Sequence, residues 1–281
     1  MSIEFESGGK QIHIILLSGG GGGARLVGGV IDTIGERSVT IVSNTGDDFE
    51  HLGLLICPDT DSLLYTLSRE LDEERGWGRS AESWEALAEI KRLGGPDWFQ
   101  LGDKDLALHL FRNDLIQQGM NLSEATSVLA QRLGVYPSHV LIPASDLPIR
   151  TRVVTDQGEM SFQHYFVKNQ CEPKLERIYY DGIEFASPAP RLISLLDELS
   201  DPVDVILAPS NPFLSLGPIL DIPRMAGLLR ERARRVVAVS PIVGGHALKG
   251  PAAKIMSEFS ITPSAEAWME YLERRYPQLI D

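Results

Sequence analysis

The sequence predicts an α/β fold: a Rossmann-like, mostly parallel sheet with helices on both faces and an inserted, mainly helical lobe. Three observations lead there. Short apolar runs rich in Val and Ile recur at 11–18, 38–44, 140–143, 203–208 and 235–239, as strands buried on both faces of a parallel sheet do. Segments of helical spacing separate these runs, the alternation expected of a parallel sheet covered by helices. The first run also leads into five consecutive glycines, 19–23, and then ARLVGGVIDTIG, so the chain opens strand, glycine loop, helix.

The elements follow in order. After the strand at 38–44, the segment Asn44-Thr45-Gly46-Asp47-Asp48 is rich in turn residues. A short apolar run at 53–57 is broken by Pro58-Asp59-Thr60-Asp61, and 62–70 has helical character. Residues 71–140 read as helices, an insertion between the two parts of a nucleotide-binding core, 1–70 and 141–281. Within it, Asn121 and Glu124 are spaced as a capping box. Leu122, Ala125, Val128, Leu129 and Leu133 share one helical face, and Gly134 is a natural stop. Strands at 152–155 and 160–167 flank a hairpin turn at 156–159. Helices are expected at 190–199, 224–233, 251–258 and 264–275.

Composition narrows the function classes. The chain has 281 residues, 43% hydrophobic and 23% charged, which suits one large α/β domain or a core with an insertion. A net charge of -13 repels polyanions, so general nucleic-acid binding is not expected. Cys57 and Cys171 are the only cysteines, too few for a disulfide framework or zinc knuckle, and a reducing cytoplasm fits. Residues 1–10 are polar and acidic, unlike a signal peptide. The apolar runs are of strand length, so no membrane span is expected.

Four segments carry chemistry. Ser18 to Arg25 places glycines where backbone amides can approach an anion, with a helix N-terminus aimed at the same point. Gly19-x-Gly21-x-x-Ala24 fits a dinucleotide pattern, whereas Ala-Arg-Leu stands where a Walker A loop needs Gly-Lys-Ser/Thr. The bland reading is a tight strand-to-helix turn. Second, Asp47, Asp48, Asp59 and Asp61 lie just beyond strand ends, where open α/β sheets keep ligands. Carboxylates converging near phosphates call for a hard cation such as magnesium, although Asp also serves turns and caps. Third, Ser210, Asn211, Ser215 and Gly217 follow a strand and offer hydroxyl, amide and backbone donors. Fourth, His246, Lys249 and Lys254 follow another strand within reach of a phosphate, or else lie in solvent.

Taken together, these segments resemble the 2-phospho-L-lactate transferase family of coenzyme F-420 biosynthesis. The resemblance runs through 18–26, NTGDDFEHLGLLICPDTDSLLYTLS (44–68), GWG (76–78), LGGPDWFQLGDKDLALHL (93–110), FQHYFVK (162–168), CEP (171–173), SNPFLSLGPIL (210–220) and SPIVGGHALKGPAAKIM (240–256). It implies a transferase that moves a phospho-acid (phospholactate, phosphoenolpyruvate or phosphoglycerate) from a guanosine diphosphate-activated donor to the ribityl hydroxyl of the deazaflavin Fo, releasing GMP. It further implies magnesium and a homodimer. Carried over, Gly20, Gly21, Gly22, Gly23 and Ala24 cradle the diphosphate, with Asn44 at the nucleotide. Asp47, Asp48 and Asp61 lie at the metal and the attacking hydroxyl, and Ser210, Asn211, Ser215 and Gly217 seat the guanosine. Trp98 and Phe99 are expected either as a wall for the deazaflavin or as core aromatics. One departure is the glycine run itself, which lacks the Thr of the more usual Gly-Gly-Thr-Gly form.

Two rival readings differ in kind. A nicotinamide-dependent oxidoreductase needs a ribose-binding acid at the end of its second strand, where Asn44 stands. A nucleotide-sugar-binding regulator resembling the gluconeogenesis-factor-like proteins shares the glycine loop and Asp-Asp turn, but not CPDTD or SNPFLSLGPIL.

Overall fold

A computed structural model describes residues 6–7, 10–34 and 38–281; most of the polar N-terminal stretch read above lies outside them. Strand β1 (Ile14–Ser18) is followed by helix α1 (Gly21–Ile34) and β2 (Val39–Ser43). A hairpin of β3 (Phe49–His51) and β4 (Leu54–Ile56) leads into α2 (Pro58–Leu67). Helices α3 (Glu85–Arg92), α4 (Asp103–Gln117) and α5 (Leu122–Arg132) precede β5 (His139–Pro143). Strands β6 (Arg150–Thr155), β7 (Gly158–Ser161) and β8 (Leu175–Asp181) form a small antiparallel sheet, with a π-helical turn at His164–Lys168. Helix α6 (Pro190–Glu198) returns the chain to β9 (Val203–Leu207), α7 (Met225–Arg232) runs into β10 (Ala233–Ala238), and α8 (Ala252–Glu258) and α9 (Ala265–Arg275) follow.

The central sheet has the order β10-β9-β1-β2-β5, and every neighbouring pair is parallel. All residues of β1, β2 and β9 are buried, because helices cover both faces. Ile14, Leu16, Ile41, Leu141 and Ile206 share a core with Val27, Ile31, Leu63, Leu108 and Leu129 of α1, α2, α4 and α5. Alternate residues Ile15, Leu17, Val42, Ile142 and Val205 pack on the other face with Leu192, Leu196, Leu229 and Trp268. Burying each such Leu or Ile contributes about 1.5–3 kcal/mol, which is why the strands read as unbroken apolar runs. The strand order reverses between β1 and β9, the switch point where sheets of this kind open a ligand crevice at their C-terminal ends.

Several boundaries differ from the sequence reading. Helix α1 already includes Gly21–Gly23, so the loop proper is Gly19-Gly20, and Gly21 turns the chain with φ +40°. Helix α2 begins at Pro58, where proline suits the first turn; Asp59 and Asp61 therefore sit within that turn. The strand expected over 160–167 stops at Ser161, because Phe162 and Tyr165, three residues apart, both turn into the core. Within the 71–140 insertion, Leu108 and Leu129 belong to the central sheet's own core, whereas α3 buries no residue.

The capping box forms as expected. The Glu124 amide donates to Asn121 Oδ1 and the Asn121 amide to Glu124 Oε2, both at 2.8 Å. Replacing Asn121→Ala is expected to lower stability by about 1 kcal/mol, read as a shifted urea midpoint. An unmoved midpoint would mean that the Ser123 amide, held by Asp146, secures this helix end alone.

Candidate active site

At the switch point, the turn after β1 runs between two other chain segments. The Gly19 amide donates to Ser210 Oγ at 3.3 Å. A side chain on Gly20 would put its Cβ 2.5 Å from Asp59 Oδ1, and one on Gly19 would meet Ser215 Oγ at 2.4 Å. Only glycine lets β1 pass between α2 and the loop after β9 this closely. The first turn of α1 carries no acidic residue, so nothing on the helix itself opposes an anion at its positive end.

A cavity of about 500 Å³ opens beside this turn. Its lining includes Gly20, Gly21, Gly22, Ser210, Asn211 and Ser215, together with the aromatic residues Tyr65, Trp77, Phe99, Phe162 and Phe166. Phe162 and Phe166 stack with centroids 5.3 Å apart. Among the described residues four carboxylates line it, Asp47, Asp59, Asp61 and Asp105, with Lys249 and His109 as the basic side chains.

The carboxylates differ in setting. Asp59 accepts from Asn44 Nδ2 at 2.9 Å. Burial raises it to about 6 against the lowering effect of hydrogen bonds from Asn44 and the Gly20 amide. Asp47 is pushed well up by burial and then by the charge of Asp59, and its Oδ1 has no hydrogen-bond partner. Asp48 is raised to about 8 by burial, against Arg150 and Arg112; it is not part of the cavity lining. Asp61 is gripped at both oxygens by the fully buried Arg112, with Nη1 at 3.2 Å from Oδ2.

That ion pair extends into a buried chain of polar groups. Arg112 Nη1 also donates to His109 Nδ1 at 3.2 Å, which leaves the imidazole proton on Nε2. Burial lowers His109 to about 4, so it is neutral. Its Nε2 has no hydrogen-bond partner and lies 3.8 Å from Asp105 Oδ1. Burial, then the charge of Asp61, raises Asp105 to about 7, and the Tyr65 hydroxyl donates to it.

The residues present fit a magnesium ion in one arrangement. Asp47 and Asp59 offer hard oxygen donors beside the glycine turn, one oxygen of Asp47 is unpartnered, and their charges repel. Magnesium commonly takes one or two carboxylates and completes its shell with water and phosphate oxygens. Among the described residues no group of three or more His, Cys, Asp or Glu could hold an ion by itself. Of the expected set, Asp47 lines the cavity with an unpartnered oxygen; Asp48 also has an unpartnered oxygen but lies outside the lining, and Asp61 is held at both oxygens by Arg112.

Other expected residues divide similarly. Gly23 lies against Ser18 and Ser210, and Ala24 is in the core. Asn44 is fully buried; its amide hydrogens go to Asp59 and to the Leu214 carbonyl at 3.0 Å, and its Oδ1 accepts from the Gly46 amide. The nicotinamide reading needs a carboxylate acceptor for the ribose hydroxyls at this position; Asn44 is an amide, fully buried, with its Oδ1 engaged by Gly46, which removes support for that reading. Asn211 Oδ1 accepts from the Phe213 and Leu214 amides, while its buried Nδ2 is unpartnered. Gly217 is absent from the lining and packs against Tyr180, whose hydroxyl would lie 2.1 Å from an added Cβ. Trp98 sits behind Phe99, between His51 and His164. Lys254 binds Tyr165, Pro173 and Glu258 away from the cavity, and His246 is exposed. The sequence reading missed Asp105, His109 and Arg112. Their spacing along α4, i, i+4 and i+7, puts three polar groups on one helical face, a signal that was available.

Comparison with known proteins gives a consistent picture. The sequence pattern of the family described as 2-phospho-L-lactate transferase CofD matches residues 14–275. A phosphoenolpyruvate transferase of Kitasatospora aureofaciens is 39% identical, over 91% of this chain and 80% of its own. A 2-phospho-L-lactate transferase of Methanococcoides burtonii is 37% identical, over 92% and 84% respectively. Among solved structures, a UPF0052-family protein of Bacillus halodurans superposes with a TM-score of 0.61, covering 97% of this chain and 79% of that one. At 14% identity that likeness speaks to the fold alone.

The raised Asp105 has a consequence for stability. Its folded value of about 7 lies above that of an exposed Asp, about 4. Between these values the folded protein keeps a proton that the unfolded chain has lost. This stabilising contribution is complete below about pH 4 and is lost as pH rises to about 7. The stability of Asp105→Asn is therefore expected to fall less than that of the wild type between about pH 5 and about pH 8. Equal pH dependence in urea titrations would show that the folded carboxyl ionises normally.

Proposed function

The chain belongs to the 2-phospho-L-lactate transferase family, and from that premise we propose that it transfers a phospho-carboxylic acid from a guanosine diphosphate-activated donor to the terminal ribityl hydroxyl of the deazaflavin Fo, in coenzyme F-420 biosynthesis. The hydroxyl oxygen attacks the phosphorus that carries the acid, the bond from that phosphorus to the GMP oxygen breaks, and GMP leaves as the hydroxyl gives up its proton. One observation carries this reading. One cavity is lined by the glycine turn at the N-terminus of α1, by buried carboxylates and by five aromatic side chains, a combination that suits a diphosphate and a flat, apolar ring.

The residues take roles from their positions. The amides of Gly20, Gly21 and Gly22 and the N-terminus of α1 hold the diphosphate. Ser210, Asn211 and Ser215 face the guanosine half, and the unpartnered Nδ2 of Asn211 offers it a donor. Phe99, Phe162 and Phe166 flank the deazaflavin. Asp47 and Asp59 hold magnesium, which when bound neutralises phosphate charge and leaves the phosphorus open to an oxygen nucleophile. Asp61, fixed by Arg112, turns to the cavity and orients the attacking hydroxyl by accepting its hydrogen bond. Positioning and charge neutralisation supply most of the rate.

Mass spectrometry tests the reaction. The protein is mixed with magnesium, Fo, GTP, a guanylyltransferase and each phospho-acid in turn. A deazaflavin phosphodiester and GMP that depend on this protein are expected for at least one acid. Absence of product with every acid, despite confirmed donor formation, overturns the proposal. In the same assay Asp59→Asn should lower turnover by about a hundredfold or more and raise the magnesium needed for half-maximal rate. Near-normal turnover at unchanged magnesium would remove Asp59 from the metal site.

A further inference from the structure

The charge inside the cavity is unbalanced in a way that singles out one side chain. Four carboxylates line it, and the ligand it is proposed to bind is itself an anion; among the described residues Lys249 is the sole Lys or Arg in the lining. Lys249 comes from the loop after β10 and crosses above the glycine turn, its Cδ 3.2 Å from where a Cβ on Gly21 would stand. Its Nζ donates to the Gly76 carbonyl at 2.8 Å, a neutral acceptor at the cavity rim. A guanidinium nitrogen of Arg25, from the second turn of α1, lies 3.6 Å from a Cβ built on the same Gly76, and Lys249 Nζ lies 3.2 Å from it. Among the described residues neither cation has a carboxylate partner within ion-pair distance. Two like charges thus converge at Gly76, which borders the cavity, although Arg25 itself is not in the lining; burial, then the charge of Arg25, holds the Lys249 ammonium below its ordinary value. Such a pair is completed by an anion, and charge-assisted bonds to phosphate are about twice as strong as neutral ones.

We propose that Lys249, backed by Arg25, is the cationic phosphate contact of this cavity: when the donor binds, its ammonium exchanges the Gly76 carbonyl for an oxygen of the diphosphate lying on the glycine turn. This rests on the reading of the cavity as a diphosphate-donor site. The exchange draws the 241–251 loop over the ligand and leaves the Gly76 carbonyl to water at the rim. It gives the 240–256 segment a task, and it sets a positive charge over Gly21, next to the glycine that Asp59 adjoins.

Equilibrium binding of inorganic pyrophosphate and GDP, with guanosine measured by competition, tests this in wild type, Lys249→Ala, Lys249→Gln and Lys249→Arg. Lys249→Gln keeps an N–H donor for Gly76 but removes the charge, and unchanged thermal midpoints show that each variant folds. Lys249→Ala and Lys249→Gln are expected to bind pyrophosphate and GDP about ten- to a hundredfold more weakly. Guanosine should be unaffected, and Lys249→Arg should stay within a few fold of wild type. Wild-type pyrophosphate affinity in Lys249→Ala overturns the proposal. So does full affinity in Lys249→Gln, which would assign the effect to the Gly76 tie, or an equal loss for guanosine. Wild-type protein that binds no pyrophosphate overturns it as well. Pyrophosphate binding that depends on Lys249, without preference for GDP over other nucleoside diphosphates, supports Lys249 while removing the guanosine donor.

Discussion

The site is assembled around the amide of Asn44. It stands directly after β2, fully buried, and reaches three places at once: Asp59 in the first turn of α2, the Leu214 carbonyl beyond β9, and the Gly46 amide of its own turn. A hydrogen bond to a charged group is worth about 1.5–3 kcal/mol, and leaving such a group unpaired inside a protein costs at least as much. Asn44 therefore sets where Asp59 lies against the glycine turn and how closely the loop after β9 approaches it. An aspartate here would bring another buried negative charge against Asp59, and an apolar residue would strand three polar groups.

Charge is the second organising constraint. The protein keeps several carboxyl groups in a small desolvated volume and treats each differently. Asp61 is gripped at both oxygens by Arg112, also buried. Asp105 and Asp48 are raised toward neutrality by burial. Asp47 feels the charge of Asp59, which lies against the glycine turn. Removing either partner from the Asp61–Arg112 pair would leave an uncompensated buried charge. The pair belongs both to the site and to the packing of α2 against α4.

How much of this was legible in the sequence follows from the range of the forces involved. The strands of the central sheet could be read because burial on both faces writes itself into consecutive apolar residues. The glycine turn could be read because close backbone approach permits little else. What could not be read depends on partners far along the chain. Asp59 and Asp61 stand two residues apart in the same turn, and only Arg112, 51 residues beyond Asp61, separates their roles. Gly217 looked like part of a ligand loop, yet its lack of a side chain answers to the Tyr180 hydroxyl. The strand expected through 162–167 failed because alternation and a single π-helical turn both bring Phe162 to the core, and only the packing of Tyr165 tells them apart.

The glycine run carries a last consequence. The threonine hydroxyl missing from it has nowhere to go at Gly20, where Asp59 already fills the space, or at Gly22, where even a Cβ would stand 2.9 Å from the Pro209 carbonyl. Hydroxyls instead surround the turn, from Ser18, Ser210 and Ser215. A stretch of glycines is the costliest part of any chain to hold still, since each has more freedom to lose than other residues. Here it lies between β1 and β9, the two strands on which the order of the sheet turns. Close packing against Asp59, Ser210 and Ser215 supplies part of that restraint, and an anion seated on those amides would add to it, tying the cohesion of the sheet's centre to the occupancy of its crevice.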